Sequence, residues 1–365
     1  MKKRFLAAVI LPLMIFCSCG VRNDIIKTYD DPYFMPSHMT RLYPEKAEDK
    51  TLAVLLRKYD EAASAIAVCT EPEAEPAVIY RLPDGKITYE ISAGDGIIAF
   101  YELTTYTDGS VNYALKVIDT KSETLDVRTP YNKSVSDEND VQTRFICVYG
   151  GCVYYITKSN LLGRCRVMKY SLKDDGLTEY IGVPFTENEI TGGASVTSIS
   201  VKNGYLTIAV VSGNKTTLKT YNLTTDELVR EKELPYGVAM VYMADHDYNT
   251  GMYAIYYYSA QSDERVGIFA YSDSSVEDVF TLTESEYVNH EDVKIEYGAV
   301  GFVIQDTEKT APHDQFYALS KTVSEGELKK TPGVFGTVRT GDDTYGLEFD
   351  TKKGYDAVHL IKITK

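Results

Sequence analysis

The segment Asp245-His246-Asp247-Tyr248-Asn249-Thr250-Gly251 has the spacing of a hard-cation loop. Asp245, Asp247 and Asn249 alternate, so three side-chain oxygens could turn toward one calcium ion. An EF-hand would also require glycine where Thr250 stands and a bidentate glutamate where Tyr256 stands. The same residue types are what a turn between two strands demands, so the calcium reading is secondary to a turn. The five histidines, His38, His246, His290, His313 and His359, are scattered and form no H-E-x-x-H pair. Gly192-Gly193-Ala194-Ser195 lacks the last glycine of a nucleophile elbow. Tyr253-Ala254-Ile255-Tyr256-Tyr257-Tyr258 is the densest aromatic run. Tyrosines there could stack on sugar rings, but a strand packed on both faces is the preferred reading. The sequence assigns no catalytic residue, no cofactor and no metal ligand beyond the calcium candidates.

Cysteine chemistry divides by position. Cys69, Cys147, Cys152 and Cys165 follow no C-x-x-C or zinc spacing. Cys147 and Cys152 flank Gly150-Gly151. A hairpin turning there sets Cys147 opposite Tyr154 and Cys152 opposite Tyr149, diagonal neighbours and not a direct pair. Free buried thiols are expected, with a disulfide left open.

The remaining two cysteines stand in a different context. Met1-Lys2-Lys3-Arg4 is a cationic start, and Phe5 to Phe16 carries no charge. That is the pattern of an export signal, too short for a spanning helix of roughly 20 residues. It ends Phe16-Cys17-Ser18-Cys19-Gly20. This resembles the lipobox of bacterial lipoproteins, in which a small residue precedes the cysteine that is lipidated and becomes the mature N-terminus. Ser18 is small, so Cys19 fits and Cys17 does not. The resemblance implies residues 1–18 as signal, a diacylglyceryl and palmitate-type anchor on Cys19, and a protein held at the cell envelope outside the cytoplasm. Two acyl chains anchor stably where one does not.

The whole chain has 38 Lys and Arg against 53 Asp and Glu. Loss of Lys2, Lys3 and Arg4 with the signal brings the net charge from −15 to near −18. Such a surface repels phosphate backbones, which excludes nucleic acid as a partner.

Residues 19–48 read as a tether broken by Pro32, Pro36 and Pro44. Residues 49–365 read as one all-β domain rich in tyrosine, threonine and valine. A tight glycine turn recurs between two apolar strands, with Gly96, Gly151, Gly204, Gly251 and Gly298 spaced by 55, 53, 47 and 47 residues. Asn203-Gly204 suits a type I′ turn. A second, polar turn recurs at Asp84-Gly85, Asp174-Asp175-Gly176 and Thr225-Asp226. A period of 40–50 residues with four strands per unit is the pattern of a β-propeller. Seven units follow: about 49–91, 92–130, 141–183, 194–234, 237–283, 290–331 and 332–365. In the first, Ala62, Ala63 and Ala65 could instead form a short helix. The last is one strand short, and Ile25 to Tyr29 or Met39 to Tyr43 would be the donor beside Ala357 to Thr364. A β-sandwich pair or an open stack of sheets is the alternative architecture.

The resemblance is thus to bacterial β-propeller lipoproteins in general. It rests on strand pattern and turn spacing, with no WD dipeptide or kelch glycine pair. The expected function is a non-enzymatic, surface-anchored platform for an envelope protein or other ligand. Glycan or small-ligand binding for uptake or sensing is the second reading, and a propeller hydrolase or lyase the third.

Overall fold

A computed structural model describes residues 33–34, 45–48, 51–58, 63–69, 77–88, 91–135, 142–159, 164–182, 194–235, 238–259, 263–282, 286–288, 293–296, 299–306, 314–320, 329–332, 334–340, 343–349 and 358–363. Every regular element among them is a strand, and every pairing is antiparallel. The strands fall into seven sheets, each built from consecutive stretches of chain. The third is the simplest: Gln142–Tyr149, Cys152–Ser159, Arg164–Ser171 and Gly176–Gly182 pair in sequence order. The fourth (Ser195–Lys202 to Leu228–Glu233) and fifth (Val238–Asp247 to Glu277–Thr281) repeat that order. The seventh has three described strands: Val334–Thr340, Asp343–Phe349 and Val358–Ile363.

In the first, second and sixth sheets the first position is split in two. Tyr33–Phe34 and Glu45–Glu48 both pair with Thr51–Lys58. Lys86–Ile87 and Ile91–Gly94 both pair with Ile97–Thr105. Glu286–Val288 and Lys294–Glu296 both pair with Ala299–Asp306. The segment expected as a tether therefore contributes two short strands to the first sheet. Its prolines do not prevent this. Pro32 and Pro36 bracket Tyr33–Phe34, and Pro44 immediately precedes Glu45–Glu48, where a missing N–H costs the ladder nothing. The alanines considered for a helix lie at and around the strand Ala63–Cys69. The candidate donor segments Ile25 to Tyr29 and Met39 to Tyr43 lie outside the described residues, as do Cys19 and the whole signal. Among the described residues, the N-terminal strands pair in the first sheet, and none pairs with Val358–Ile363.

First strands of successive sheets lie side by side: Glu45–Glu48 by Ile91–Gly94, then Gln142–Tyr149, Ser195–Lys202, Val238–Asp247 and Lys294–Glu296. Val334–Thr340 packs on the sixth sheet and also approaches Glu45–Glu48. The core lies in the gaps between sheets, because each sheet turns apolar residues to both faces. Ile66 and Ala53 of the first sheet meet Ile98, Phe100 and Ile118 of the second. Val167 and Tyr154 of the third meet Leu206, Ile208 and Val210 of the fourth. Each fully buried Ile, Leu, Val or Phe among them contributes roughly 1.5–3 kcal/mol.

Turn geometry repeats in detail. Asp95-Gly96, Gly150-Gly151 and Asn203-Gly204 each have positive φ at both residues, as a type I′ turn requires. The glycine carbonyl at this first turn then accepts the N–H that opens the third turn of the same sheet. The pairs are Thr120 to Gly96 at 2.9 Å, Leu172 to Gly151 at 3.3 Å, Leu223 to Gly204 at 2.9 Å and Tyr271 to Gly251 at 2.7 Å. Gly298 lies outside the described residues.

Candidate functional site

The first strand of each sheet is an edge, with N–H and C=O groups that its own sheet does not pair. Side-chain oxygens from the preceding sheet meet several of them. Ser92 Oγ accepts the Val148 N–H at 3.2 Å, and Ser198 Oγ accepts the Ala244 N–H at 3.0 Å. Asp95 Oδ2 accepts the Gly150 N–H at 2.6 Å.

At Asp245 this device becomes ionic and spans three sheets. Asp245 lies on Val238–Asp247 opposite Ala254 and is 5% exposed. Its Oδ1 accepts a hydrogen bond from Ser200 Oγ. Its Oδ2 accepts from Lys202 Nζ at 3.3 Å and from the Ile295 N–H at 2.7 Å. Lys202 Nζ also donates to the Ile295 carbonyl. Ser200 and Lys202 belong to the fourth sheet and Ile295 to the sixth. Burial would raise the Asp245 carboxyl. The Lys202 ammonium, the neighbouring His246 and the hydrogen bonds from Ser200 and Ile295 outweigh it and hold the group below its ordinary value. At neutral pH the carboxylate is ionised and ties the three sheets.

Of the calcium candidates, Asp245 has the Lys202 ammonium 3.3 Å from its Oδ2. Asp247 Oδ1 accepts the Asn249 N–H at 3.0 Å, as an Asx turn does. Asn249 is exposed at the turn. Among the described residues no group of three or more His, Cys, Asp or Glu is placed to hold a metal. The ionic joint itself was not legible from local spacing, since its members stand 43 and 50 residues apart. A signal did exist: aligned on their turn glycines, Ser200, Lys202 and Asp245 all fall on the closing residues of a first strand.

His246 turns to the opposite face of the same strand. It opposes Tyr253, is 1% exposed, and neither ring nitrogen has a hydrogen-bond partner. Burial pushes its pKa down to about 4, and the attraction of Asp245 offsets this only in part. The imidazole is neutral at physiological pH. His38, His290 and His313 lie outside the described residues, and His359 opposes Glu348 in register.

A second buried acid serves a similar joint. Glu102, 1% exposed, accepts from Tyr80 of the first sheet at 2.5 Å and from Lys86 at 2.6 Å. Burial raises this carboxyl too, and the hydrogen bonds from Lys86 and Tyr80, with Lys116 nearby, bring it below its ordinary value.

The aromatic run 253–258 is packing. Tyr253 and Tyr257 are buried against the fourth sheet and Tyr256 on the face toward the sixth. Cys147 opposes Tyr154 and Cys152 opposes Tyr149; both side chains are half-buried, and Cys147 Sγ donates to the Ile199 carbonyl at 3.8 Å. The Cys69 and Cys165 side chains lie outside the described residues.

The aromatic surface lies elsewhere, where the turns of the fourth and fifth sheets meet. Tyr205 stacks on Tyr248 with centroids 3.6 Å apart. The Arg230 guanidinium lies 3.9 Å from the Tyr248 ring and 5.2 Å from that of Tyr271, and donates to the Tyr248 carbonyl at 3.1 Å. Tyr271 is 37% exposed, and Lys232 Nζ donates to its carbonyl at 2.9 Å. Arg128 makes the equivalent reach from the second sheet to the Leu172 carbonyl of the third, at 2.8 Å. Sequence reading missed this stack because its members come from four separate turns and strands.

No protein-family model matches the chain, and no curated protein matches it. Among solved structures it is similar to the β-propeller domain of the Trilobed protease from Pyrococcus furiosus, described as having an open velcro topology. Identity is 13% over 88% of this chain and 97% of that one, with a TM-score of 0.52. It is also similar to the Dos1 propeller, at 8% identity over 85% and 75% with a TM-score of 0.47. TolB from Acinetobacter baumannii matches at 11% over 74% and 64% with a TM-score of 0.43. At these identities the likeness concerns fold alone, and the first comparison carries it: the chain has a β-propeller-like arrangement of antiparallel sheets.

Proposed function

We propose that the chain is an exported lipoprotein, anchored through Cys19, whose seven sheets close into a propeller that serves as a non-enzymatic binding platform. The last sheet is completed by an N-terminal strand. The ring is supported by the side-by-side run of first strands and by the approach of Val334–Thr340 to Glu45–Glu48. The anchor is supported by the sequence Phe16-Cys17-Ser18-Cys19-Gly20 behind an uncharged apolar run.

One observation carries the binding reading: the Tyr205–Tyr248–Arg230–Tyr271 stack. Tyrosine and arginine dominate the energetics of protein interfaces, and here their positions are fixed by stacking and by backbone hydrogen bonds. A platform of this kind binds without paying to order its own side chains. The partner is an envelope protein. The exposed Tyr271 ring beside Arg230 and Lys232 favours, as a second reading, an acidic sugar stacked on the ring.

The test is affinity capture from envelope extract with the lipid-free chain, compared with its Tyr271→Ala variant. A protein retained by the native chain and lost by the variant supports the platform. Equal capture by both removes this surface from consideration. Titration with acidic oligosaccharides separates the second reading. The anchor is tested apart from both: Cys19→Ser moves the protein from the membrane pellet to the supernatant, and an unchanged distribution rules out lipidation there.

A further inference from the structure

The second and fourth sheets carry an arginine at the same place in their outer strands. Arg128 pairs with Val117 and Arg230 with Thr220. Val117 and Thr220 each stand three residues ahead of the N–H that bonds the turn glycine, at Thr120 and Leu223. Both arginines reach toward the next sheet, but they find different partners there. Arg128 Nε donates to Asp126 at 2.7 Å, and its Nη1 lies 3.5 Å from Asp175 of the third sheet. Arg230 lies on the Tyr248 ring and donates to the Tyr248 carbonyl, with the Tyr253 hydroxyl nearby. Lys232 beside it donates to the Tyr271 and Asp273 carbonyls. Among the described residues no carboxylate stands within ion-pair distance of Arg230 or Lys232.

Resting on the platform reading above, we infer that the partner supplies the missing carboxylate. An aspartate or glutamate side chain of the partner protein sets its oxygens on the Arg230 guanidinium, shares its charge with Lys232 and lies beside the exposed Tyr271 ring.

The second and third sheets show what the fourth and fifth lack. Leu172 and Tyr271 are the residues whose N–H bonds the turn glycine. Three residues beyond them stand Asp175 and Ser274. The two turns have equal length, since Lys169 faces Thr178 as Ile268 faces Glu277. A serine therefore stands where the third sheet has its acid. The Asp119 and Asn222 N–H groups bond to the carbonyls of Asp126 and Glu227, so Glu227 holds the place of Asp126. The bulge at Val229 sets it one residue further from the arginine. Asp273 Oδ2 accepts the Ala270 N–H at 2.9 Å, and the Glu231 carboxylate lies 3.9 Å from Lys219. Arg128 holds the Leu172 carbonyl, whereas Lys232 holds its counterpart at Tyr271. A guanidinium carries more N–H donors than two acceptors use, and stacking leaves those in its plane open to a planar carboxylate. In a chain of 53 acids and 38 bases, two cations without an acid reverse the local charge. Leu228, 45% exposed on the same strand, adds an apolar surface. An apolar side chain next to the acid in a protein covers it; a hydroxyl-bearing sugar does not.

Side-chain NMR of the lipid-free chain tests this, with acetyl-Leu-Glu-Leu-amide and its glutamine counterpart as probes. The Arg230 Nε–H signal is expected to move saturably with the glutamate peptide and to ignore the glutamine one. The Arg128 signal should stay, because its acids are its own. Ser274→Asp returns an acid to the place of Asp175 and is expected to weaken binding about tenfold. Arg230→Gln should weaken it at least as much, read at the Tyr271 ring. An unmoved Arg230 signal, equal shifts at Arg230 and Arg128, or unchanged affinity in Arg230→Gln overturns the inference. So does a response to a glucuronate oligosaccharide alone, which favours the acidic sugar. If Arg230→Gln does not fold, Ser274→Asp, at an exposed turn, decides in its place, and unchanged affinity there overturns the inference. Loss of capture in Tyr271→Ala with no response to the peptide leaves the platform and removes the carboxylate; equal capture with no response removes both.

Discussion

At Gly267 a hydrogen atom is all the space allows. A Cβ there would lie 2.4 Å from Val276 Cγ1, 3.2 Å from the Tyr257 ring and 3.3 Å from the Glu277 carbonyl. Gly267→Ala is expected to cost about 1–3 kcal/mol, read as a lower denaturant midpoint. His246 gives the stability its pH dependence. Its pKa falls from 6.5 to about 4 on folding, so between those values the unfolded chain binds the extra proton. Stability from this group is whole above pH 6.5 and declines as pH drops toward 4, by up to about 3 kcal/mol. Asp245 and Glu102 are lowered on folding, so their contribution holds above the ordinary carboxylate range and is lost as pH falls through their folded values. His246→Leu should flatten the limb between pH 6.5 and 4 and leave the more acidic one, in urea midpoints measured across pH. The turn glycines were legible because glycine takes the positive φ of these turns at no steric cost. His246 was not, because burial is a property of neighbours from another sheet.

The irregularities of the fold lie in the outermost strands of its sheets: the last strands of the first five sheets each carry a register shift, and the first strands are irregular as well. Three are split, and Gln142–Tyr149, Ser195–Lys202 and Val238–Asp247 carry bulges at Arg144/Ile146, Val196/Ser198, and Val238/Met240 with Val241/Met243. The hairpins that follow were legible from alternating apolar residues around Asp, Asn and Gly. The breaks were not, since a bulge adds one residue without a residue type of its own. The joint at Asp245 holds three of these strands together. Asp245→Ala takes the acceptor from the Ile295 N–H and from Ser200 Oγ and leaves Lys202 with the Ile295 carbonyl alone, and is expected to cost about 2 kcal/mol; Lys202 keeps partial access to water, which limits the loss. A double-mutant cycle with Lys202→Ala should show less than additive loss, and additive loss would mean that the pair does not couple. Arg128→Ala, which takes the donor from the Leu172 carbonyl, should lower the urea midpoint only slightly.

For the molecule as a whole, the repeat was legible to within a few residues at most boundaries, because the period of turns survives where individual residues vary. The first unit was placed too late in the chain, since two-residue strands between prolines carry no periodicity. If the ring closes, removing residues 334–365 uncovers the first and sixth sheets together. Calorimetry should then show the remainder melting lower and in more than one step, where the full chain melts in one. An unchanged single transition would mean that the sheets stack without closure. The hydrogen bond from the third turn to the glycine carbonyl of the first turn, made in the second to fifth sheets, bears on ancestry. It fastens the two ends of a unit on one face without help from neighbours. A gene segment encoding such a unit can be duplicated, and the copy arrives with its turns already tied, needing only a flank to pack against. Growth of the chain by copying requires no new invention at the turns, and drift of the remaining sequence is left free.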